Sequence, residues 1–257
     1  MSVRAVTASK VREQASAEEW AARVDLAAAH RLLSHYGVDD LTYNHLSVRV
    51  PGEPNHLLIK AADVMFGEVT ASSLQKYDVE GNPLTPGVDR KLYGGGLVIH
   101  AGILKARPDI NVVFHTHTPA NMGVATQKQG LLPINQHAVR FYNRIAYHDF
   151  GGYEFNLAQR EPLIRSLGNY NVALLRNHGS LVCDRTVAAA FVAHHYLEMG
   201  CKGQIAALAG GSEIVIPPPE VCEFAARQVE ERADLAGTKD WAACLRLADK
   251  LDPSFRD

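Results

Sequence analysis

Two short segments, Ile110–Phe114 and Val172–Leu175, each run into a polar tip that carries histidine. The first tip is Phe114-His115-Thr116-His117-Thr118 and the second is Arg176-Asn177-His178-Gly179. Four or five mostly apolar residues suit a buried strand better than a helix, so both segments are expected to be sheet strands that end in polar groups. That form, apolar strand and then histidine tip, constrains the chain more than any other stretch of it.

The flanking patterns fill in the rest. Ser16-Ala17-Glu18-Glu19 reads as a capping box, in which Ser16 and Glu19 each satisfy the other's free backbone N–H. Trp20, Val24, Ala28 and Leu32 recur at i+4, and Gly37 supplies a left-handed stop, which together predict an amphipathic first helix. His45–Val50 and His56–Lys60 alternate around the turn-forming Pro51-Gly52-Glu53-Pro54-Asn55 and read as an antiparallel hairpin. Gly94-Gly95-Gly96 precedes a helix over Leu97–Lys105 that ends near Pro108, and Leu181–Cys183 reads as a further strand. Thr186–Ala209 is a long Ala-rich helix closed by Gly210-Gly211, and Pro217-Pro218-Pro219 breaks the chain before terminal helices. No internal repeat is present, and the class is α/β or α+β with a mixed or antiparallel sheet. Residues 1–15 are polar and aperiodic and are expected to form a flexible N-terminal segment, with 16–257 as one domain.

Composition narrows the function. A chain of 257 residues with 47% apolar and 21% charged side chains can bury a sizeable core. With 26 basic against 28 acidic residues there is no broad cationic surface for a phosphate backbone, so nucleic acid is not an expected partner. No apolar run approaches the roughly 20 residues of a bilayer span, and Met1–Gln14 lacks the apolar stretch of a secretory signal. A cytoplasmic protein with no membrane partner is therefore expected. Cys183, Cys201, Cys222 and Cys244 form no C-x-x-C pair, so they are expected to be reduced thiols in helices and core.

Histidine is the outlier, with 12 residues. In a strand, side chains two apart share a face, which makes His115 and His117 a chelating pair at a strand end. A catalytic zinc-like ion takes about three protein ligands and keeps one position open. His178 is the candidate third ligand, beside a glycine that permits a tight turn and Asn177, whose amide can orient the site. The competing reading leaves His115 and His117 as hydrogen-bonded histidines at a sheet edge. His194-His195 lies inside the Ala-rich helix, where neighbours diverge by about 100° and cannot share an ion, and is read as packing or interface.

The segments His115-Thr116-His117-Thr118-Pro119-Ala120, after Ala106-Arg107-Pro108-Asp109, and Leu175-Arg176-Asn177-His178-Gly179 resemble the two signature stretches of class II aldolases and adducin heads. The likeness extends through Tyr43–Pro51, Glu68–Leu74 and Ala146–Phe150 and covers roughly residues 17–215, with Gly130–Ile134 and Tyr147-His148-Asp149 pointing to the adducin-like bacterial branch. The resemblance implies a three-layer α/β/α sandwich around a largely antiparallel sheet and a homotetramer. It also implies one divalent ion per subunit on His115, His117 and His178, zinc first, with manganese, iron or cobalt as alternatives. Such an ion polarises a small substrate's oxygens during C–C cleavage.

Two departures stand against that pattern. The family's acid/base glutamate, four residues before a helix histidine, falls at Gly96 before His100, and the phosphate-holding positions are Gly94, Gly95 and approximately Ala62-Asp63, where a carboxylate repels phosphate. The polar cluster Gln136, His137, Arg140 and Tyr142 is the candidate replacement, because the family's tyrosine from a neighbouring subunit aligns near His137. In that role His137 and Tyr142 transfer protons, and Gln136 and Arg140, with Asn44 and His45, hold a carboxylated or aromatic substrate. The alternative is that the cluster builds a subunit interface without chemistry. The function expected is a metal-dependent carbon–carbon lyase, retro-aldol or decarboxylating, on a small non-phosphorylated substrate. A non-haem iron oxygenase on the same three histidines and a non-catalytic adducin-like binding module are the alternatives.

Overall fold

The computed structural model describes residues 10–257. Most of the segment expected to be flexible, residues 1–9, lies outside them. Residues 10–14 are helical and bury Val11, so that part of the segment is ordered against the domain.

Helix α1, Ala17–His35, begins where the sequence predicts, but only half of the capping box forms. Ser16 Oγ accepts the Glu19 N–H at 3.0 Å. The Glu19 carboxylate is instead buried and binds Arg23 at 2.8 Å and Lys76 at 3.0 Å, a pull stronger than one exposed amide exerts. The helix ends in a Schellman turn: Gly37 has φ 73° and the Val38 N–H reaches back to the Leu33 carbonyl at 2.8 Å.

Seven strands follow: β1 His45–Arg49, β2 His56–Ile59, β3 Gln75–Asp78, β4 Val112–Thr116, β5 Ala146–His148, β6 Val172–Leu175 and β7 Gly179–Asp184. They form one mixed sheet in the order β3-β2-β1-β4-β7-β6-β5, antiparallel except for the parallel β5–β6 pair. A π-helical turn, Gly96–Ala101, runs into α2, Gly102–Ala106. Then come α3 Pro119–Thr126, α4 Gln136–Val139, α5 Arg160–Leu167, α6 Val187–Ala209, α7 Pro219–Glu230 and α8 Ala242–Leu251, with a second π-helical turn, Ala236–Trp241, before α8.

The alternation of strand side chains divides the core in two. Leu46, Val112, Phe114, Leu174 and Val182 pack beneath α1 and α6, whereas Val113, Ala173, Leu175, Leu181 and Cys183 pack beneath the first π-helical turn, α2 and α5. This is the expected three-layer α/β/α sandwich with a largely antiparallel sheet. All four cysteines are free thiols; Cys183 sits in β7 and the others in helices, and burial pushes the Cys183 thiol up to about 12. Among the described residues no helix is long and apolar enough to cross a membrane.

Candidate metal centre

The centre sits where the middle of the sheet ends. β4 pairs with β1 and β7, which puts His115 opposite His45 on one side and Leu181 on the other. His115 is the fourth residue of β4 and His117 follows one residue beyond the strand, so both rings lie on one face. His178 stands in the β6–β7 turn, whose tightness comes from Asn177 at φ 58° and not from Gly179. Gly179 serves close approach instead: a Cβ there would stand 2.5 Å from the Thr116 carbonyl oxygen and 2.9 Å from His117 Cδ2.

The three rings converge on their Nε2 atoms. His117 Nε2 is 2.8 Å from His115 Nε2 and 3.0 Å from His178 Nε2, and one ligand atom from each falls within 4.8 Å of the others. For His115 and His117 the far side of the ring fixes what these atoms are. His115 Nδ1 donates to the Ser180 carbonyl at 3.0 Å, and His117 Nδ1 donates to Asp40 Oδ2 at 2.9 Å. A neutral imidazole that donates from Nδ1 carries a bare lone pair on Nε2. Two lone pairs about 3 Å apart repel unless a cation stands between them. Ligand nitrogens around zinc, at about 2.0–2.1 Å from the ion, lie about 3.3 Å apart, a slight opening of this cluster. The donor set therefore fits a divalent ion on three imidazoles.

Burial favours the neutral form of His115 and His117. Desolvation, with smaller repulsion from His117, His178 and His45, holds His115 well below the usual histidine range, and desolvation lowers His117 against the opposing pull of Asp40. Glu154 Oε1 stands 3.2 Å from His178 Nδ1, without the alignment of a hydrogen bond.

Of the residues expected to bind substrate, Asn44 is buried and its Oδ1 accepts the His117 backbone N–H at 2.9 Å, so it holds the ligand loop in place. His45 lies beside the centre, its ring centroid 5.0 Å from that of His115. Its Nδ1 pairs with His100 Nε2 at 2.7 Å, and His100 Nδ1 pairs with Ser47 Oγ at 2.6 Å. Asn177 is exposed and makes no side-chain hydrogen bond among the described residues; the Ser180 carbonyl orients His115 and Asp40 orients His117.

Gln136, His137, Arg140 and Tyr142 lie on and after α4, and no contact among the described residues joins them to the three histidines of their own chain. The His137 ring stacks on Tyr196 at 5.1 Å and the Arg140 guanidinium lies 4.1 Å over the same ring. The His194–His195 pair divides as packing residues do: His194 is buried and bonds Thr116 Oγ1 at 2.8 Å, and His195 packs on Tyr36.

Sequence reasoning missed Asp40, Glu154 and the role of His100. His100 had a signal, as the histidine four residues after Gly96, while Asp40 and Glu154 lie in unremarkable polar stretches. At Gly96, where the family's glutamate falls, the Leu92 side chain packs against the backbone, and a Cβ there would meet Leu92 Cδ1 at 2.7 Å.

The family model described as class II aldolase and adducin N-terminal domain matches residues 24–205. The chain belongs to this family. A class II aldolase/adducin relative from Caulobacter vibrioides, provisionally named a class 2 aldolase protein, is 37% identical over 98% of each chain. Alpha-adducin of Rattus norvegicus is 36% identical over 89% of this chain, which spans only 33% of that protein. Among solved structures, an aldolase II superfamily protein from Pseudomonas syringae superposes with a TM-score of 0.89 at 40% identity, covering 96% of this chain and 100% of that one.

Proposed function

We propose that this class II aldolase/adducin member is a metal-dependent carbon–carbon lyase, retro-aldol or decarboxylating, for a small non-phosphorylated substrate with a carboxylate or aromatic group. One observation carries the reading: three Nε2 atoms converge, and two of them, on His115 and His117, belong to rings whose Nδ1–H is already committed to an oxygen. His115, His117 and His178 would hold the ion, zinc first. When bound, it withdraws electrons from a substrate oxygen and so stabilises the charge that develops as a carbon–carbon bond breaks.

The chain's own residues supply the rest. Gly96 supplies no carboxylate, and the Leu92 side chain packs beside it. His45 takes its place as the proton-transfer group, held by the Ser47–His100 pair with its Nε2 turned toward Gly95. A Cβ at Gly95 would come within 2.8 Å of that nitrogen, which leaves no room for the hydroxyl side chain of a phosphate cradle. The rim favours flat apolar groups: Phe150 lies 6.3 Å from His178, and the stacked pair Tyr153 and Phe155 is 71% and 75% exposed. On the same reading the working form is a cytoplasmic homotetramer with one ion per subunit.

The test is turnover of zinc- and manganese-loaded protein on a panel of hydroxy acids and aromatic acids, with L-fuculose 1-phosphate alongside. Release of an aldehyde or carbon dioxide from an unphosphorylated acid is expected, with loss of activity in His45→Ala. Preferred cleavage of the sugar phosphate overturns the substrate class. Oxygen consumption with Fe(II) and no cleavage under nitrogen overturns the lyase in favour of an oxygenase.

A further inference from the structure

The first π-helical turn, Gly96–Ala101, carries the residue on which the role of His45 depends. His100 is fully buried and spends both ring nitrogens, Nδ1 on Ser47 Oγ at 2.6 Å and Nε2 on His45 Nδ1 at 2.7 Å. A ring that must meet two partners at once tolerates little rotation of the backbone beneath it. π-helical turns are rare, because a helix left to itself closes on i→i−4 bonds, so a turn of this kind persists where outside contacts favour it.

Arg160, the first residue of α5, supplies such a contact. Its Nη2 donates to the Leu97 carbonyl at 2.6 Å, about one turn before His100. The stem reaches that carbonyl by crossing Gly102, where an added Cβ would stand 2.8 Å from Arg160 Cγ and 3.0 Å from Arg160 Nε. Gly102 has ordinary right-handed helical dihedrals, so what requires a glycine there is the crossing and not the backbone conformation. The grip costs Arg160 something. Its Nε is buried with no acceptor, burial lowers its pKa, and Glu80, whose charge offsets this, is bound to Lys105 at 2.7 Å. An arginine placed only for its own solvation would turn its head to water.

The loop that leads into α5 reaches the metal centre at its other end. Glu154 faces His178 at 3.2 Å, and the Phe155 ring lies 3.5 Å from the point a Cβ would occupy at Gly94. That loop therefore flanks the glycine run before the π-helical turn, while Arg160 holds the turn itself. We infer that Arg160 is a positioning residue: by holding the Leu97 carbonyl across Gly102, it fixes the π-helical turn in the rotation that lets His100 engage Ser47 and His45 together. Its effect on turnover passes only through His100 and rests on the reading of His45 as the proton-transfer group; the hold on His100 does not.

The test reads the His45–His100 hydrogen bond directly, in zinc-loaded full-length protein carrying isotope-labelled histidine. The imidazole proton shared by the two rings, assigned by its loss in His45→Ala, should exchange slowly with solvent in the wild type. Arg160→Met keeps the stem and removes the donors, and exchange should quicken about tenfold, the size of losing one charge-assisted hydrogen bond, with partial rescue in Arg160→Lys. Zinc affinity should be unchanged, and kcat should fall about tenfold at constant KM. Wild-type exchange in Arg160→Met overturns the inference even if the melting temperature drops, because a merely structural strap lowers stability alone. Loss of zinc affinity in step with the exchange also overturns it, since Arg160 would then hold the whole sheet end. Should Arg160→Met fail to fold, Gly102→Ala decides, because its Cβ displaces the Arg160 stem: faster exchange is expected, and wild-type exchange would overturn the hold. If the wild type cleaves none of the acids, the lyase reading fails while the exchange rates still decide on Arg160.

Discussion

The metal centre and the Arg140 cluster are built from similar material, histidines beside polar residues on elements that flank the same sheet, but they differ in where the polar atoms point. At the centre, His115 and His117 each commit Nδ1 to an oxygen and turn Nε2 inward, so that lone pairs meet with nothing to bond. In the Arg140 cluster, the His137 ring lies flat on Tyr196 and the group without a hydrogen-bond partner among the described residues is a cation. Only the first arrangement gathers donor atoms from three residues around one point. Proximity of histidines thus says little about a ligand; the direction of the far ring nitrogen says most of it.

The largest effect should come from breaking the inward convergence. His178→Ala removes one of three donors, and zinc affinity should fall more than about a hundredfold, or about 3 kcal/mol, in competition with a chromophoric chelator. Retained zinc affinity would mean that the three rings do not form one site.

Next in size are the glycines that let backbones approach beside each region. At Gly179 an added Cβ would stand 2.5 Å from the Thr116 carbonyl oxygen, which β4 cannot yield without moving His115 and His117. At Gly200, under α4, the nearest atom is the Ala138 nitrogen at 3.1 Å, a gap that a four-residue helix can widen by a few tenths of an ångström. Gly179→Ala should cost about 1–3 kcal/mol of stability and Gly200→Ala less than about 1, read from denaturant melts. Equal costs would remove the claim that the centre is the stiffer region.

The stiffness explains which parts were legible in the sequence. The strand tips at His115–His117 and His178, the β1–β2 hairpin, the Gly37 stop and the long α6 all depend on neighbours within a few residues, where periodicity and turn chemistry act. The partners that orient the rings do not. Asp40 is 77 positions from His117, and Ser180 contributes a carbonyl that any residue would supply. Glu19 shows the reverse failure, where a local pattern was right in form and two cations, the buried Arg23 and the half-buried Lys76, won the side chain. Gly96 shows another: the missing glutamate was visible, but the Leu92 side chain beside it is placed by packing. Tyr196, which turns His137 and Arg140 into one cluster, sits 56 positions beyond Arg140 on another helix, and nothing in its own surroundings marks it.

The smallest effects should separate two carboxylates that look alike on paper. Asp40 accepts a true hydrogen bond from His117 Nδ1 at 2.9 Å, which fixes the tautomer and aims Nε2 inward. Glu154 is near His178 Nδ1 at 3.2 Å but off the line of its N–H, so it contributes charge without direction. Loss of a hydrogen-bonded carboxylate behind a ligand histidine typically costs 10- to 100-fold in metal affinity. Asp40 is partly exposed, its side chain 41% accessible, which places Asp40→Asn near the lower end, about tenfold. Glu154→Gln keeps the shape and removes a charge that never aligned with the ring N–H, so its loss of zinc affinity should be the smaller of the two. Each variant is titrated at two ionic strengths, because a purely Coulombic contribution is screened by salt while a tautomer lock is not. A Glu154→Gln loss as large as that of Asp40→Asn, and as insensitive to salt, would show that a second carboxylate directs the site and that His178 is anchored as firmly as the two histidines of the β4 tip.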